Sequence, residues 1–115
     1  MDRRLNKLHN PLIKLLQENE GEKPKVSANE RVYFQPPSNH VMHYPCFVYQ
    51  LERGMSERAD GKPYTLYDQY QVTYISRNPD NEELRSSMLY GFDHCSFETR
   101  IPIDGLYQDN FRVYI

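Results

Sequence analysis

The amino-acid sequence predicts an α+β fold in which one mainly antiparallel sheet is covered by helices. Three observations lead to this prediction: leucines at helical spacing near the start, two regions in which apolar and polar residues alternate, and a second helix signal between those regions. The predicted order is helix, strand, strand, helix, strand, strand. A length of 115 residues suits a single domain. Within it we expect an N-terminal helix and charged linker in residues 1–30 and the core in residues 31–115.

The first helix is predicted from four leucines spaced three or four residues apart, which places them on one helix face. They are Leu5, Leu8, Leu12 and Leu15. Pro11 interrupts this stripe. An interior proline costs about 3 kcal/mol, so we expect a kink or a restart there. Asn10 could also cap a new helix that has Pro11 at its first position. Residues 19–31 are charged and have no periodic pattern, which predicts a loop.

Two strands are expected next. Residues 45–51, "PCFVYQL", form an apolar run of strand length, and residues 66–76 alternate between apolar and polar. The apolar face of the second strand would consist of Leu66, Tyr70, Val72 and Tyr74. Residues 52–65 are polar and include an Asp60-Gly61 turn signal. We therefore expect an antiparallel pair joined by a long hairpin loop.

A second helix is expected in residues 78–91, "NPDNEELRSSMLYG". Asn78 suits the N-cap, Pro79 the first helical position, and Gly91 a left-handed cap at the end. "HCSFETRI" and "FRVYI" then alternate around a turn near "DGLYQDN". The last strand would bury one face formed by Phe111, Val113 and Ile115.

Composition excludes some classes of function. The net charge of −2 argues against a protein that binds nucleic acid by neutralising phosphates. The sequence contains no run of about 18 apolar residues, so we expect no membrane span. Two cysteines suit a reducing compartment. The 10 tyrosines suit half-buried and interface positions.

Catalytic and metal-binding residues are not expected. "DHC" at residues 93–95 places His94 beside Cys95, but neighbours on a strand point to opposite faces. We therefore interpret Cys95 as a small core residue. His40 and His43 are interpreted as surface residues, because a metal site needs about four ligands. The sequence has no glycine-rich phosphate loop and no nucleophile elbow. We expect no enzyme activity, no cofactor and no metal.

Tyrosines could also stack on the bases of a single-stranded nucleic acid. The candidates are Tyr67, Tyr70 and Tyr74. Such binding needs a basic groove, whereas residues 66–76 carry Asp68 as their one charge. We therefore favour tyrosines that pack under helices or at a subunit contact.

A spaced pattern across residues 31–115 resembles a known family. Its parts are "YPC" before an apolar strand, "AD-K-Y" in the hairpin connection, "YQVT-I" before "NPD", and the closing "F--YI". In these features the chain is similar to the tail terminator, or tail-completion, proteins of long-tailed siphovirus-type bacteriophages. Residues 1–30 lie outside the resemblance.

The resemblance implies a structural role in the virion. Tail terminators form a ring, typically hexameric, at the head-proximal end of the tail tube. The ring stops tube polymerisation and joins the tail to the head or neck. The implied partners are further copies of the chain, the major tail tube protein and a head-completion protein. The genome passes through the ring without sequence-specific binding, and no membrane is involved. The expected location is the virion tail, with assembly in the host cytoplasm.

The hairpin connection is our candidate contact arm. Mixed charges favour orientation at an interface, and the residues expected to make contact are Arg53, Glu57, Arg58, Asp60, Lys62 and Tyr64. A solvated, mobile loop is the alternative. Two other functions stay open: another head-tail connector protein of the neck, and a cytosolic module that binds a small ligand or a peptide.

Overall fold

The chain forms a mixed α+β structure, and its described residues contain one five-stranded sheet and two α-helices. The computed structural model describes residues 4–18, 27–37, 39–59 and 62–115, and for residues 53–59 and 62–67 it describes the backbone. The α+β class expected from the sequence is confirmed. A π-helical turn, Leu5–His9, leads into helix α1, Asn10–Glu18, and helix α2 is Glu82–Gly91. The strands are β1, Val32–Phe34; β2, Cys46–Ala59; β3, Lys62–Ser76; β4, Cys95–Ile103; and β5, Leu106–Tyr114.

The strands lie in the order β1-β2-β3-β5-β4 across the sheet. β1 pairs in parallel with β2, and the other neighbours are antiparallel. The sequence analysis did not predict β1, which has three residues and therefore shows no measurable alternation. β4 and β5 meet at a two-residue turn in which Asp104 (φ 51°) and Gly105 (φ 77°) are both left-handed. This is the geometry of a type I′ hairpin, for which Asp-Gly is a preferred pair.

Helix α1 continues through Pro11 without a restart. In the preceding π-helical turn, Asn10 N–H donates to the carbonyl of Leu5, five residues back. Proline has no N–H of its own to donate, so a locally wider turn accommodates it. Leu8, Leu12 and Leu15 are buried, but Leu5 is 40% exposed. The extra residue in the wide turn rotates Leu5 off the apolar stripe.

The prediction of a loop over residues 19–31 is wrong for its last four residues. Residues 19–26 lie outside the described residues, but Ala28–Glu30 form a 3₁₀ turn. Arg31 is 1% exposed, and its Nη1 donates to the carbonyl of Pro45 at 2.8 Å. The carbonyl of Arg31 accepts from Phe47 N–H at 3.0 Å. This exchange joins the linker to the start of β2.

The expected hairpin loop over residues 52–65 is also wrong. β2 and β3 form the predicted antiparallel pair, but their pairing continues from Arg53 opposite Gln69 to Ala59 opposite Lys62, with shifts of register near Glu52 and Glu57. The Asp60-Gly61 turn lies outside the described residues. Residues 52–65 are polar and do not alternate as the residues of a half-buried strand do, so the sequence pattern does not mark them as strands.

This outer part of the hairpin extends beyond the sheet. β5 pairs with β3 only from Gln69 onwards, and β1 reaches only Tyr49 on β2. In the described pairings, residues 53–59 therefore pair only with β3, and residues 62–67 pair only with β2; we call these two segments the arm. Strands rise about 3.3 Å per residue, so the arm is about 20 Å long. The Cα extents of 52 × 27 × 27 Å agree with such a projection.

Helix α2 begins later than predicted. Its N-cap is Asn81, not Asn78, and its first residue is Glu82. The Asn81 side chain is buried, where its Nδ2 donates to Ser76 Oγ at 3.0 Å and to Asp109 Oδ2 at 3.1 Å. Because these bonds fix the Asn81 side chain, residues 78–81 do not adopt helical backbone geometry and the helix starts at Glu82. The left-handed cap predicted at Gly91 is also wrong, because Gly91 is the last helical residue and extended backbone follows it.

The buried cluster combines side chains from both helices with one face of the strands. As predicted, Tyr70, Val72 and Tyr74 of β3 are buried, and so are Phe111, Val113 and Ile115 at the end of the chain. The predicted burial of Leu66 lies outside what the structure describes. Members of the cluster include Leu8, Leu12, Leu15, Leu16, Phe47, Tyr49, Tyr70, Val72, Tyr74, Leu84, Met88, Phe111, Val113 and Ile115. The opposite face carries a polar ladder in which Asn110 Oδ1 accepts from Thr73 Oγ1 at 2.7 Å.

Candidate interaction surface: the arm and its root

β1 ends just before the arm begins on the neighbouring strand β2, and Gln35 is the residue that follows β1. Gln35 has a φ of 46° and turns the chain away from the sheet. Its backbone N–H donates to Tyr49 O at 2.9 Å, and its side-chain Oε1 accepts from Leu51 N–H at 3.1 Å. The N–H of Leu51, two residues before the arm, is therefore bonded to a side chain rather than to the backbone of β1.

A charged network ties the root of the arm to three other strands. Glu52 accepts a hydrogen bond from Gln69 Nε2 of β3. Arg112 of β5 lies between two carboxylates, with Nη2 3.8 Å from Glu52 Oε2 and Nη1 3.3 Å from Glu98 Oε1 of β4. An exposed ion pair is worth about 0.2–1 kcal/mol, and a network is worth more than an isolated pair. The network therefore links the root of the arm to β3, β4 and β5.

Aromatic side chains form the other side of the root. Phe34 stacks on Tyr49 with ring centroids 5.0 Å apart, and Tyr49 meets Tyr70 at 5.9 Å. The guanidinium of Arg4 lies 4.1 Å above the Phe34 ring and donates to Tyr49 Oη. Phe34 is 37% exposed. A cation over a partly exposed ring is a common element of binding surfaces.

The phenol of Tyr49 also holds the N-terminal helix. His9 Nδ1 and Tyr49 Oη lie 2.7 Å apart and share a hydrogen bond. Burial lowers the pKa of His9, and the nearby charge of Arg4 lowers it further. A neutral imidazole therefore faces the phenol. Tyr49 is fully buried; its ring packs in the core and its hydroxyl bonds the helix, because a buried tyrosine hydroxyl needs a hydrogen-bond partner.

The predicted contact residues lie on the arm, not in a loop. Arg53, Glu57 and Arg58 are on β2, and Lys62 and Tyr64 are on β3. Their backbones pair across the ribbon, with Arg53 opposite Gln69 and Arg58 opposite Pro63. Their side chains and Asp60 lie outside what the structure describes. The contact role of these residues stays a prediction.

The two cysteine thiols are protonated at neutral pH. Burial raises the pKa of Cys46 to about 12 and that of Cys95 to about 11. A nucleophilic cysteine needs a lowered pKa, because the thiolate is the reactive form. Cys46 is fully buried and Cys95 is half-buried beside the core. The interpretation of Cys95 as a packing residue agrees with this environment.

His40 and His43 serve a local contact at Tyr33. The His40 ring meets the Tyr33 ring edge-on at 5.1 Å, and His43 N–H donates to Tyr33 Oη at 3.0 Å. Within residues 4–18, 27–37, 39–59 and 62–115, no three His, Cys, Asp or Glu side chains are grouped so that they could hold a metal ion. None of the helices that the structure describes has the length and apolar character needed to cross a membrane.

Sequence reasoning did not find the root of the arm. Its parts come from β1, β2, β5 and the start of the first helix, which are far apart in the sequence. One usable signal was "VYFQPP", in which a short apolar run stops at Gln35 before two prolines. Comparison of the chain with protein-family models gives no match, and comparison with the sequences of curated proteins gives none either.

Proposed function

We propose that the protein is a virion structural protein: the tail terminator of a long-tailed bacteriophage. It would form a ring on the head-proximal end of the tail tube, and such rings are typically hexameric in the family that the chain resembles. There it would stop tube polymerisation and join the tail to the head or neck. Its partners would be other copies of the chain, the major tail tube protein and a head-completion protein.

The arm is the observation that carries this proposal. A two-stranded hairpin with no further neighbour is marginally stable in water. The arm is nevertheless about 20 Å long, and its root is held by the Arg112 network and by Gln35. An anchored ribbon that pairs with no further strand in the part of the chain that the structure describes suits a contact that forms on assembly, such as the seating of a ring on a tube.

Other features support an assembly role over a catalytic one. The raised pKa values of Cys46 and Cys95 suit packing. The buried cluster joins both helices to one sheet face, which supports the family-like arrangement of helices that cover a sheet. The role needs no cofactor and no sequence-specific contact with the genome. The protein would assemble in the host cytoplasm and act in the virion tail.

Charge reversal on the arm tests the proposal. The double variant Arg53→Glu/Arg58→Glu should fold normally but give tails of uncontrolled length or tails unjoined to heads, because mixed charges set register at an interface. Lys14→Glu/Arg77→Glu is a matched control, since it changes the net charge equally at exposed positions outside the arm. Circular dichroism checks folding, and electron microscopy with phage titre checks assembly. Normal tails and titre from the arm variant would remove the arm from the mechanism.

A tube-length assay separates the terminator from a neck connector. Purified tail tube protein is polymerised with and without this protein, in the absence of heads. A terminator caps the tubes and shortens them, whereas a connector leaves the length distribution unchanged. Shortening that depends on Arg53 and Arg58 would support both the function and the contact surface.

A further inference from the structure

The first helical turn of the chain meets β2 at a single phenol. Tyr49 is fully buried, and its Oη accepts a hydrogen bond from Arg4 Nη1. The same oxygen lies 2.7 Å from His9 Nδ1, and the rings of His9 and Tyr49 meet edge-on with centroids 5.7 Å apart. Arg4 and His9 stand at the two ends of the π-helical turn. Both ends of this turn are therefore held by one hydroxyl group.

The hydroxyl can serve both side chains only while His9 is neutral. A tyrosine hydroxyl has one proton to donate, and an arginine guanidinium donates but cannot accept. Because Arg4 donates to the oxygen, an unprotonated Nδ1 of His9 gives the hydroxyl proton an acceptor. A charged imidazole carries a proton on both nitrogens, so its Nδ1 can no longer accept. Protonation of His9 would therefore bring two cationic donors to one neutral oxygen.

The neighbours of His9 in its own turn and in the sheet offer no negative charge. Tyr49 of β2 is its hydrogen-bond partner, and Arg4 adds a positive charge that opposes protonation. Phe34 of β1 contributes an apolar ring beneath Arg4, with its centroid 4.1 Å from the guanidinium. Lys7 of the same turn is a further cation and is exposed.

The helical neighbours do not offer a negative charge either. Within the described residues, no acidic side chain forms an ion pair or a hydrogen bond with His9. Glu30 of the 3₁₀ turn is exposed. Helix α2 meets α1 at a cavity whose charged residues, Lys14 and Glu18, pair with each other at 4.0 Å. Beyond the end of α2, Asp93 lines a second cavity, which contains Lys7 but not His9.

We infer that Arg4, His9 and Tyr49 form an acid-sensitive latch: when His9 takes up a proton, the π-helical turn leaves Tyr49 and separates from the root of the arm. The rest of α1 stays in place, because Leu12 and Leu16 are buried in the core. Arg4 and His9 lie in residues 1–30, outside the family resemblance. The latch does not depend on the proposed function, since it is a property of the single folded chain.

The pH range of the latch follows from the surroundings of His9. Burial and the charge of Arg4 lower the pKa of His9 in the closed form. In the open form His9 is in water and takes up its proton near the ordinary pKa of about 6.5. The closed form is therefore fully stable above about pH 6.5 and loses stability as the pH falls towards the lowered pKa. The opening equilibrium can change by at most about tenfold for each pH unit, because one proton is bound.

Amide hydrogen exchange followed by NMR tests the latch at single residues, with rates corrected for the intrinsic effect of pH. The reporter is the N–H of Asn10, which donates to the Leu5 carbonyl and closes the π-helical turn. The internal control is the N–H of Ile115, which donates to Asp68 O. Between about pH 7 and about pH 5, the protection of Asn10 should fall about fivefold or more, and that of Ile115 should stay constant.

Matched variants separate protonation from packing. His9→Gln keeps a side chain that can bond the phenol but cannot gain a proton, so Asn10 should stay protected across the range. His43→Gln, at an exposed histidine, should behave like the wild type. Arg4→Gln should raise the titration midpoint of the His9 ring, because it removes the second cation. Lys14→Gln, at an exposed position of α1, should leave that midpoint unchanged.

Several results would overturn the inference. They are a wild-type His9 midpoint at or above about 6.5, an Asn10 protection that does not change with pH, the same change in His9→Gln, and an Arg4→Gln midpoint equal to that of the wild type. Equal losses of protection at Asn10 and Ile115 would show global unfolding and would also exclude a latch. If His9→Gln does not fold, the wild-type titration and Arg4→Gln decide.

Discussion

Removing residues 113–115 tests whether the end of the last strand is needed for the stability of the fold. β5 lies between β3 and β4, so both of its edges are paired. Val113 is fully buried and Ile115 is 9% exposed. Ile115 also exchanges two backbone hydrogen bonds with Asp68, of 3.0 and 2.9 Å, and Tyr114 N–H donates to His94 O at 3.0 Å.

The expected loss of stability follows from these contacts. Burial of a large aliphatic side chain contributes about 1.5–3 kcal/mol to the free energy of unfolding. Loss of Val113 and Ile115 should therefore lower this free energy by about 3–6 kcal/mol. Each lost hydrogen bond removes about 0.5–1.5 kcal/mol more. The free energy of unfolding of a domain of this size is about 5–15 kcal/mol. The shortened protein should therefore be close to unfolding at room temperature.

Thermal and urea unfolding measure the effect. The midpoint temperature should fall by about 10 °C or more. Tyr114→Ala is the matched control, because it changes the same segment but keeps both buried aliphatic side chains and all backbone bonds. It should cost about 1 kcal/mol, the usual size for a single substitution. An unchanged midpoint in the shortened protein would show that the end of β5 does not pack, and would refute the reasoning.

Two further predictions concern buried polar groups. Asn81→Ala should lower the free energy of unfolding by about 1–3 kcal/mol, because it removes a donor from the fully buried carboxylate of Asp109; Ser86→Ala, at an exposed position of α2, should leave it unchanged in the same urea titration. The thiols of Cys46 and Cys95 should react slowly with iodoacetamide at about pH 8 in the folded protein and faster in urea. The unfolded chain releases these thiol protons first, at a pKa of about 8.5, so the free energy of unfolding should fall as the pH rises from there towards about 11 and 12. A Cys46→Ala/Cys95→Ala protein that shows the same pH slope would contradict this assignment.

Much of the sheet could be predicted from local pattern. Tyr70, Val72 and Tyr74 alternate because β3 is buried on one face, and the last strand alternates for the same reason. The Asp104-Gly105 pair marks the β4–β5 turn through its backbone conformation. In these segments the local signal and the tertiary structure agree, so the pattern in the sequence is sufficient.

The remaining features depend on contacts between distant segments. α2 begins at Glu82 because the Asn81 side chain bonds Asp109, which is 28 residues away. The strands of the arm carry mostly polar and charged residues around an Asp60-Gly61 turn signal, so their sequence resembled a loop. The short β1 depends on its contact with β2, and Arg31 is buried by its bond to Pro45. No local pattern encodes these contacts, and the candidate interaction surface depends on most of them.

The arm extends β2 and β3 along the strand direction, past the ends of their neighbours β1 and β5. In the proposed function, a contact through the arm would therefore reach towards a neighbouring layer of the tail and leave the outer strands β1 and β4 outside that contact. The core that holds both helices to the sheet lies away from the arm. Variants of the arm should therefore leave the subunit folded and fail at the step in which it binds the tube, whereas variants of the core should fail earlier, at folding.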